Sequence, residues 1–166
     1  CENYDLKARK WTKNNFLNIR SSNHCLAVFK DSHIFKIGGL RKNFTHVKEV
    51  SLDIFERYSI SLDVWEKMKL KDNNPNTPFV SFMNGCFLIN ENNILVFGGK
   101  NEKSEVVKQT YLINFSRIDI NAFHEKVDEN YFTIMETNTK TLPYGVYFKS
   151  PMAVVSGKIL YVCGSV

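Results

Sequence analysis

Short apolar runs alternate along this chain with clusters of turn-forming residues, and the runs come in pairs. Cys25-Leu26-Ala27-Val28-Phe29 is followed by Lys30-Asp31-Ser32 and then by His33-Ile34-Phe35-Lys36-Ile37, which ends in Gly38-Gly39. The arrangement returns as Gly85-Cys86-Phe87-Leu88-Ile89, a polar stretch at 90–93, and Ile94-Leu95-Val96-Phe97 ending in Gly98-Gly99. A third copy runs from Met152-Ala153-Val154-Val155 through Ser156-Gly157 to Lys158-Ile159-Leu160-Tyr161-Val162, with Cys163-Gly164 in place of the glycine pair. Runs this short, rich in Val, Ile and Phe and bounded by Asp, Ser, Asn and Gly, predict β-hairpins. Because nearly every position is apolar, the pattern also predicts strands covered on both faces, as in a sheet held between two others.

Between these hairpins a second pattern recurs. Tyr4 precedes Trp11 by seven residues, and Tyr58 precedes Trp65 by the same seven. Each pair falls where the hairpin period leaves room for two more strands. Thr110 to Phe115 reads as the corresponding strand of the next copy, although Ile118 stands seven past Tyr111 and no Trp follows. Residues 71–78, with Asn73-Asn74-Pro75-Asn76, read as a polar surface loop, and the span from Arg117 to Thr141 is longer than a usual connection.

An apolar run, a turn, a second run closing in Gly-Gly, a variable loop, then Tyr and a later Trp resemble the kelch repeat, whose unit is one four-stranded blade of a β-propeller. Tyr4-Asp5 with Trp11, Arg20-Ser21-Ser22, Ile34 to Gly39, Glu56-Arg57-Tyr58 with Trp65, and Ile94 to Gly99 carry the likeness. It implies an all-β fold: an incomplete kelch-type propeller of about three blades from a larger ring. The outer strands of one blade would occupy 2–13, a complete blade 20–69, a degenerate blade 80–137, and the inner strands of a further blade 147–166. A glycine pair and a tryptophan are expected to form one packing unit, so that Gly98→Val would overpack it at about 1–3 kcal/mol. Cys1 at the start and a β-like segment at the end give the expectation of a piece cut from a longer protein or complex.

Composition narrows the function. Apolar residues make up 43% and charged residues 23%, the balance of a folded domain rather than a disordered one. The net charge of +5 is scattered, without the aromatic and basic stripe of single-strand binders, so nucleic acid is not expected as a partner. No apolar window is long enough for a membrane span. Cys1, Cys25, Cys86 and Cys163 have no C-x-x-C spacing and read as free thiols of a reducing compartment. Sequons at Asn43-Phe44-Thr45 and Asn114-Phe115-Ser116 arise easily in an Asn-rich chain and leave a cytoplasmic location expected, with cytoskeletal or ciliary association open.

Chemistry is thin. His24, His33, His46 and His124 share no metal-ligand spacing, and no nucleophile elbow, Walker loop or G-x-G-x-x-G is present. Glu125, Asp128 and Glu129 sit in a polar insertion beside Lys126. No catalytic residue, metal or cofactor is expected, and the chain reads as a non-enzyme. Some kelch propellers are copper oxidases, but the Tyr, Cys and His ligands of that type cannot be assembled here.

The resemblance implies a binding role instead, with a partner held by polar residues just before each inner strand and by loops between strands. Counting back fourteen residues from each Gly-Gly, or its substitute, gives His24, Asn84 and Lys149, expected to point to a common axis. The loops after Gly-Gly add Arg41, Lys42 and Asn43, then Lys100, Asn101 and Lys103. Arg can grip a carboxylate and Asn an extended backbone, so the expected partner is a protein, with an acidic peptide segment as the suggested ligand. Glu56-Arg57-Tyr58 suggests the BTB and kelch class of ubiquitin-ligase adaptors. The alternative is a permanent component of a cytoskeletal or ciliary assembly.

Overall fold

The computed structural model describes residues 1–42, 48–50, 55–68, 70–72, 82–101, 103–115, 132–136, 142, 144, 147–156 and 159–165, and gives the backbone alone at 42, 48–50, 70–72, 132–136, 148–156 and 159–165. Asn43, His46, Ile118 and His124 lie outside the described residues, as do the loop at 73–78 and the acidic group Glu125, Asp128 and Glu129.

The described residues form β-strands and no helix. β1 (Glu2–Asp5) and β2 (Lys10–Lys13) make a hairpin. β3 (Cys25–Phe29) and β4 (His33–Ile37) lead into a short inserted hairpin, β5 (Leu40–Lys42) and β6 (Lys48–Val50). β7 (Phe55–Ser59) and β8 (Val64–Lys67) then complete an antiparallel four-stranded sheet in the order β3-β4-β7-β8. β9 (Leu70–Asp72) crosses to the next sheet, where β10 (Gly85–Asn90), β11 (Asn93–Phe97), β12 (Thr110–Asn114) and β13 (Phe132–Glu136) run antiparallel and β9 pairs in parallel with β13. β14 (Tyr147–Ser156) and β15 (Ile159–Ser165) form a last hairpin. β3 touches β10 and β10 touches β14, so the first strands of three successive units adjoin one another.

The seven-residue Tyr to Trp spacing is a register. Tyr4 stands opposite Trp11 with ring centroids 5.1 Å apart, and Tyr58 opposite Trp65 with centroids 5.0 Å apart. Such directly opposed aromatic pairs stabilise a two-stranded ribbon. Both hairpins close alike: Asn14 N donates to Cys1 O at 2.9 Å, and Met68 N donates to Phe55 O at 2.8 Å. In the first, Asp5 Oδ1 accepts from the amides of Lys7 (2.7 Å) and Ala8 (2.8 Å), the usual way a short Asp side chain fixes a turn.

The core lies between the two larger sheets. Cys25, Ala27, Phe29, Phe35, Ile37 and Phe55 of one meet Ile94, Val96, Tyr111, Ile113 and Phe115 of the other, with Cys86 and Leu88 packed against them. Phe35 is the keystone: its ring stacks on Phe55 at 5.7 Å and on Phe115 at 4.8 Å, and Phe29 meets it edge-on at 6.1 Å. Full burial of one such side chain contributes about 2–3 kcal/mol. Coverage of both faces holds for β7, where every residue is buried, but not for β3, whose Cys25, Ala27 and Phe29 are buried while Leu26 and Val28 remain 52% and 53% exposed. Among the described residues, therefore, only one face of β3 meets another sheet, where the apolar run led to the expectation of two.

The glycine pairs close the units. Leu40 N donates to Ser22 O at 2.7 Å, and Lys100 N donates to Phe82 O at 2.9 Å, pulling each strand end onto the segment that precedes β3 or β10. Gly39 has φ 121° and Gly99 φ 95°. A Cβ at Gly39 would lie 2.9 Å from Ser22 O, and one at Gly99 only 2.7 Å from Phe82 O. Glycine is required there by both backbone conformation and space. The closest groups at Gly39 belong to Ser21, Ser22 and His24, while Trp65 packs on Tyr58.

Candidate functional site

His24 and Asn84 occupy equivalent places, one residue before β3 and β10, and the structure brings their neighbourhoods together. Asn23 and Met83, the residues before them, share a left-handed backbone (φ 58° and 57°), and Met83 N donates to Asn23 O at 2.8 Å. The corners of two successive units thus abut. Lys149 does not extend the series: Met152 stands opposite Cys163, the place that His24 and Asn84 hold, and a register irregularity separates Met152 from Tyr147. Only the backbone of Lys149 is described.

Asn84 is not presented to solvent as a gripping residue would be, and His24 is only partly exposed. Asn84 is 1% exposed, and its Cβ lies 3.1 Å from where a Cβ on Gly99 would stand. His24 sits equally close to Gly39. Burial, reinforced by the positive charge of Lys36, pushes the His24 pKa below its ordinary value. Both amide atoms of Asn84, Nδ1 of His24 and Oγ of Ser21 are buried without a hydrogen-bond partner among the described residues.

The post-glycine loops divide. Arg41 is exposed, and Lys103 is exposed in the turn that follows β11. Asn101 is engaged within its own turn: its Nδ2 donates to Glu105 Oε2 at 2.8 Å and its Oδ1 accepts from Glu105 N at 2.9 Å. It fixes the loop rather than offering an amide to a partner. Lys100 places Nζ 3.9 Å from the Tyr147 ring centroid, a cation–π contact joining the five-stranded sheet to β14. Lys42 is described by backbone only, and Asn43 lies outside the described residues.

A polar network that the sequence reading passed over lies on the face of the β3-β4-β7-β8 sheet opposite the core. Lys36 and Glu56, cross-strand partners with fully buried side chains, pair at 2.5 Å. Lys36 Nζ also donates to Ile19 O at 2.9 Å, and Ile19 N donates to Glu56 Oε1 at 3.0 Å. The ion pair therefore clamps the segment that joins the first hairpin to the sheet. Three asparagines extend the clamp: Asn14 donates to Tyr58 Oη, Asn15 to the Asp63 carbonyl and Asn18 to the Trp65 carbonyl, at 2.7, 2.6 and 2.7 Å. Tyr58 in turn donates to Asp63 Oδ1 at 2.7 Å, a bond that, with the Asn15 amide, holds the Asp63 pKa below the usual carboxylate range.

All three residues of Glu56-Arg57-Tyr58 are thus engaged inside the fold. Glu56 pairs with Lys36, Arg57 pairs with Glu66 on the adjacent strand, and Tyr58 joins Trp65 and Asp63. His33, also buried, meets Ser32 Oγ at 2.9 Å, and burial followed by the Arg57 charge lowers its pKa. Among the described residues no group of His, Cys, Asp and Glu is arranged to hold a metal ion, and Cys1, Cys25 and Cys86 are free thiols. No helix among them is long and apolar enough to cross a membrane. Beyond the two glycine pairs the surface offers strand β5, with the exposed cation Arg41, and the turn at 103–105, with the exposed cation Lys103. Neither the protein-family models nor the curated proteins contain a match to this chain.

Proposed function

We propose that the chain is an arc of a kelch-type propeller and works as a protein-binding module that takes its partner on the loops following the glycine pairs. The observation that carries this reading is the hydrogen bond between Met83 and Asn23. It sets equivalent corners side by side, so that β5 and the segment carrying Lys103 follow the glycine pairs of neighbouring sheets from matching positions. Rigid sheets holding a row of loops are a common support for recognition. Arg41 and Lys103 give that rim a positive character suited to an acidic peptide. His24 and Asn84 shape the corner from beneath, and Asn101 fixes its loop.

The test is titration of the chain with fluorescent acidic peptides against an Arg41→Glu/Lys103→Glu variant. Binding that weakens at least about tenfold, as loss of about 1.4 kcal/mol would give, supports the reading. Equal binding by both proteins overturns it. A cytoplasmic setting belongs to the same proposal. A narrower form of the proposal is a substrate-recruiting adaptor of the BTB and kelch class, motivated by Glu56-Arg57-Tyr58. The half-exposed Leu26 and Val28 favour the second reading, a permanent component of an assembly.

A further inference from the structure

Two thiols from different units lie beside the juncture that the Met83 and Asn23 main chains make. Met83 N donates to Asn23 O at 2.8 Å, so the two units touch just before β3 and β10 begin. Cys25 stands two residues after Asn23, and Cys86 three residues after Met83. A strand rises about 3.3 Å per residue, which puts both cysteines about 7–10 Å past the juncture along strands that stay in contact.

Alternation decides which way each thiol faces. The buried face of β3 is Cys25, Ala27 and Phe29, while on β10 Cys86 and Leu88 pack against the core cluster that holds those three. Successive side chains leave a strand on opposite faces, so Cys25 looks toward β10 and Cys86 back toward β3. The two thiols are joined by a hydrogen bond, and Cys25 Sγ also donates to Ile37 O at 3.6 Å. Their exposures differ: Cys25 is 2% exposed, whereas Cys86 is partly exposed. Burial, followed by the hydrogen bond to Cys86, raises the Cys25 pKa well above its ordinary value. Cys25 is therefore a poor first nucleophile, and Cys86 is the thiol that a reagent in solution can reach.

We propose that Cys25 and Cys86 are a reversible redox pair, closed into a disulfide between successive units by a small-molecule disulfide such as oxidised glutathione. Cys86, as its thiolate, attacks one sulfur of the oxidant, whose S–S bond breaks so that one half leaves with the electron pair. Cys25 then attacks Cys86 Sγ in the mixed disulfide and expels the second half. Two cysteine thiols are oxidised, the oxidant is reduced to two thiols, and the cysteine protons pass to the released halves. The closed form adds a covalent bond from β3 to β10 at a juncture otherwise held by main-chain hydrogen bonding and core packing.

The proposal is independent of the peptide-binding reading, which uses other residues. The four cysteines lie on separate tryptic peptides, so their pairing can be mapped by mass spectrometry in the full chain. The folded protein is incubated with oxidised glutathione, quenched with acid, alkylated and digested. The expected result is a peptide pair joined through Cys25 and Cys86, with loss of both thiols, their return on treatment with dithiothreitol, and an unchanged circular dichroism spectrum. Cys25→Ala should halt at a glutathione adduct on Cys86, and Cys86→Ala should leave Cys25 as the thiol. Oxidation that leaves both thiols free, that joins either one to Cys1 or Cys163 instead, or that ends in separate glutathione adducts on Cys25 and Cys86 overturns the proposal.

Discussion

Removing one charge from the Lys36–Glu56 pair is the sharpest test of what ties the first hairpin to the sheet. Both side chains are fully buried, and together they bind the N–H and C=O of Ile19. Glu56→Gln would leave the Lys36 ammonium buried against a neutral amide, a situation that costs about 3–5 kcal/mol when one partner of a buried pair is lost. Against a domain stability of about 5–15 kcal/mol this is a large fraction. The next unit supplies the control: Val96 and Tyr111 are cross-strand partners at the equivalent places, and both are buried in the core. Lys36→Val/Glu56→Tyr removes both charges at once. Its remaining loss is the two bonds to Ile19, about 1 kcal/mol each. The double variant should therefore be more stable than Glu56→Gln. Urea denaturation followed by tryptophan fluorescence, with unchanged slope, measures all three proteins. A Glu56→Gln loss below about 0.5 kcal/mol, or a double variant less stable than the single, would refute the reasoning.

Three further outcomes follow from the geometry. Gly99→Ala combines a left-handed backbone with a Cβ 2.7 Å from Phe82 O and should lose about 3 kcal/mol in the same denaturation assay, whereas a loss under about 1 kcal/mol would mean the strand end relaxes freely. Met83→Asn, which puts at φ 57° the residue type that Asn23 already provides, should gain about 0.5–1 kcal/mol, and any loss would contradict it. His24 has a pKa lowered by burial from its ordinary 6.5, so the unfolded chain binds its proton first and stability falls as pH drops from 6.5 toward the folded value. His24→Asn should remove that part of the slope in melting temperature against pH, leaving the share from His33, and an identical slope would exclude His24 as its source.

Much of this architecture could be read from the sequence, for a physical reason. Two apolar runs flanking a polar turn can bury their residues only by pairing, and the hairpins β3-β4, β10-β11 and β14-β15 form where those runs lie. Tyr58 and Trp65 were legible because a constant turn length makes a constant spacing. The site was less legible, since a count along the chain cannot tell which way a residue faces. His24 and Asn84 have the polarity of contact residues, yet the Gly39 and Gly99 backbones close over them. The asparagines at 14, 15 and 18 look like compositional drift, and their role depends on partners more than 40 residues away. Lys36 and Glu56 did leave a signal: each is a lone charge inside an apolar run, and such charges are buried only in pairs.

The hydrogen bond between Met83 and Asn23 has a bearing on how such a chain can diverge. It joins main chain to main chain, so the juncture between consecutive units depends on φ and on two glycines, not on which side chains flank them. Corner residues can be exchanged over evolutionary time, as His24 and Asn84 already differ, while the sheets keep their mutual placement. In such a chain, likeness to relatives lies in the spacing of turns and glycines more than in residue identity, and ancestry is better sought by superposing backbones than by aligning letters.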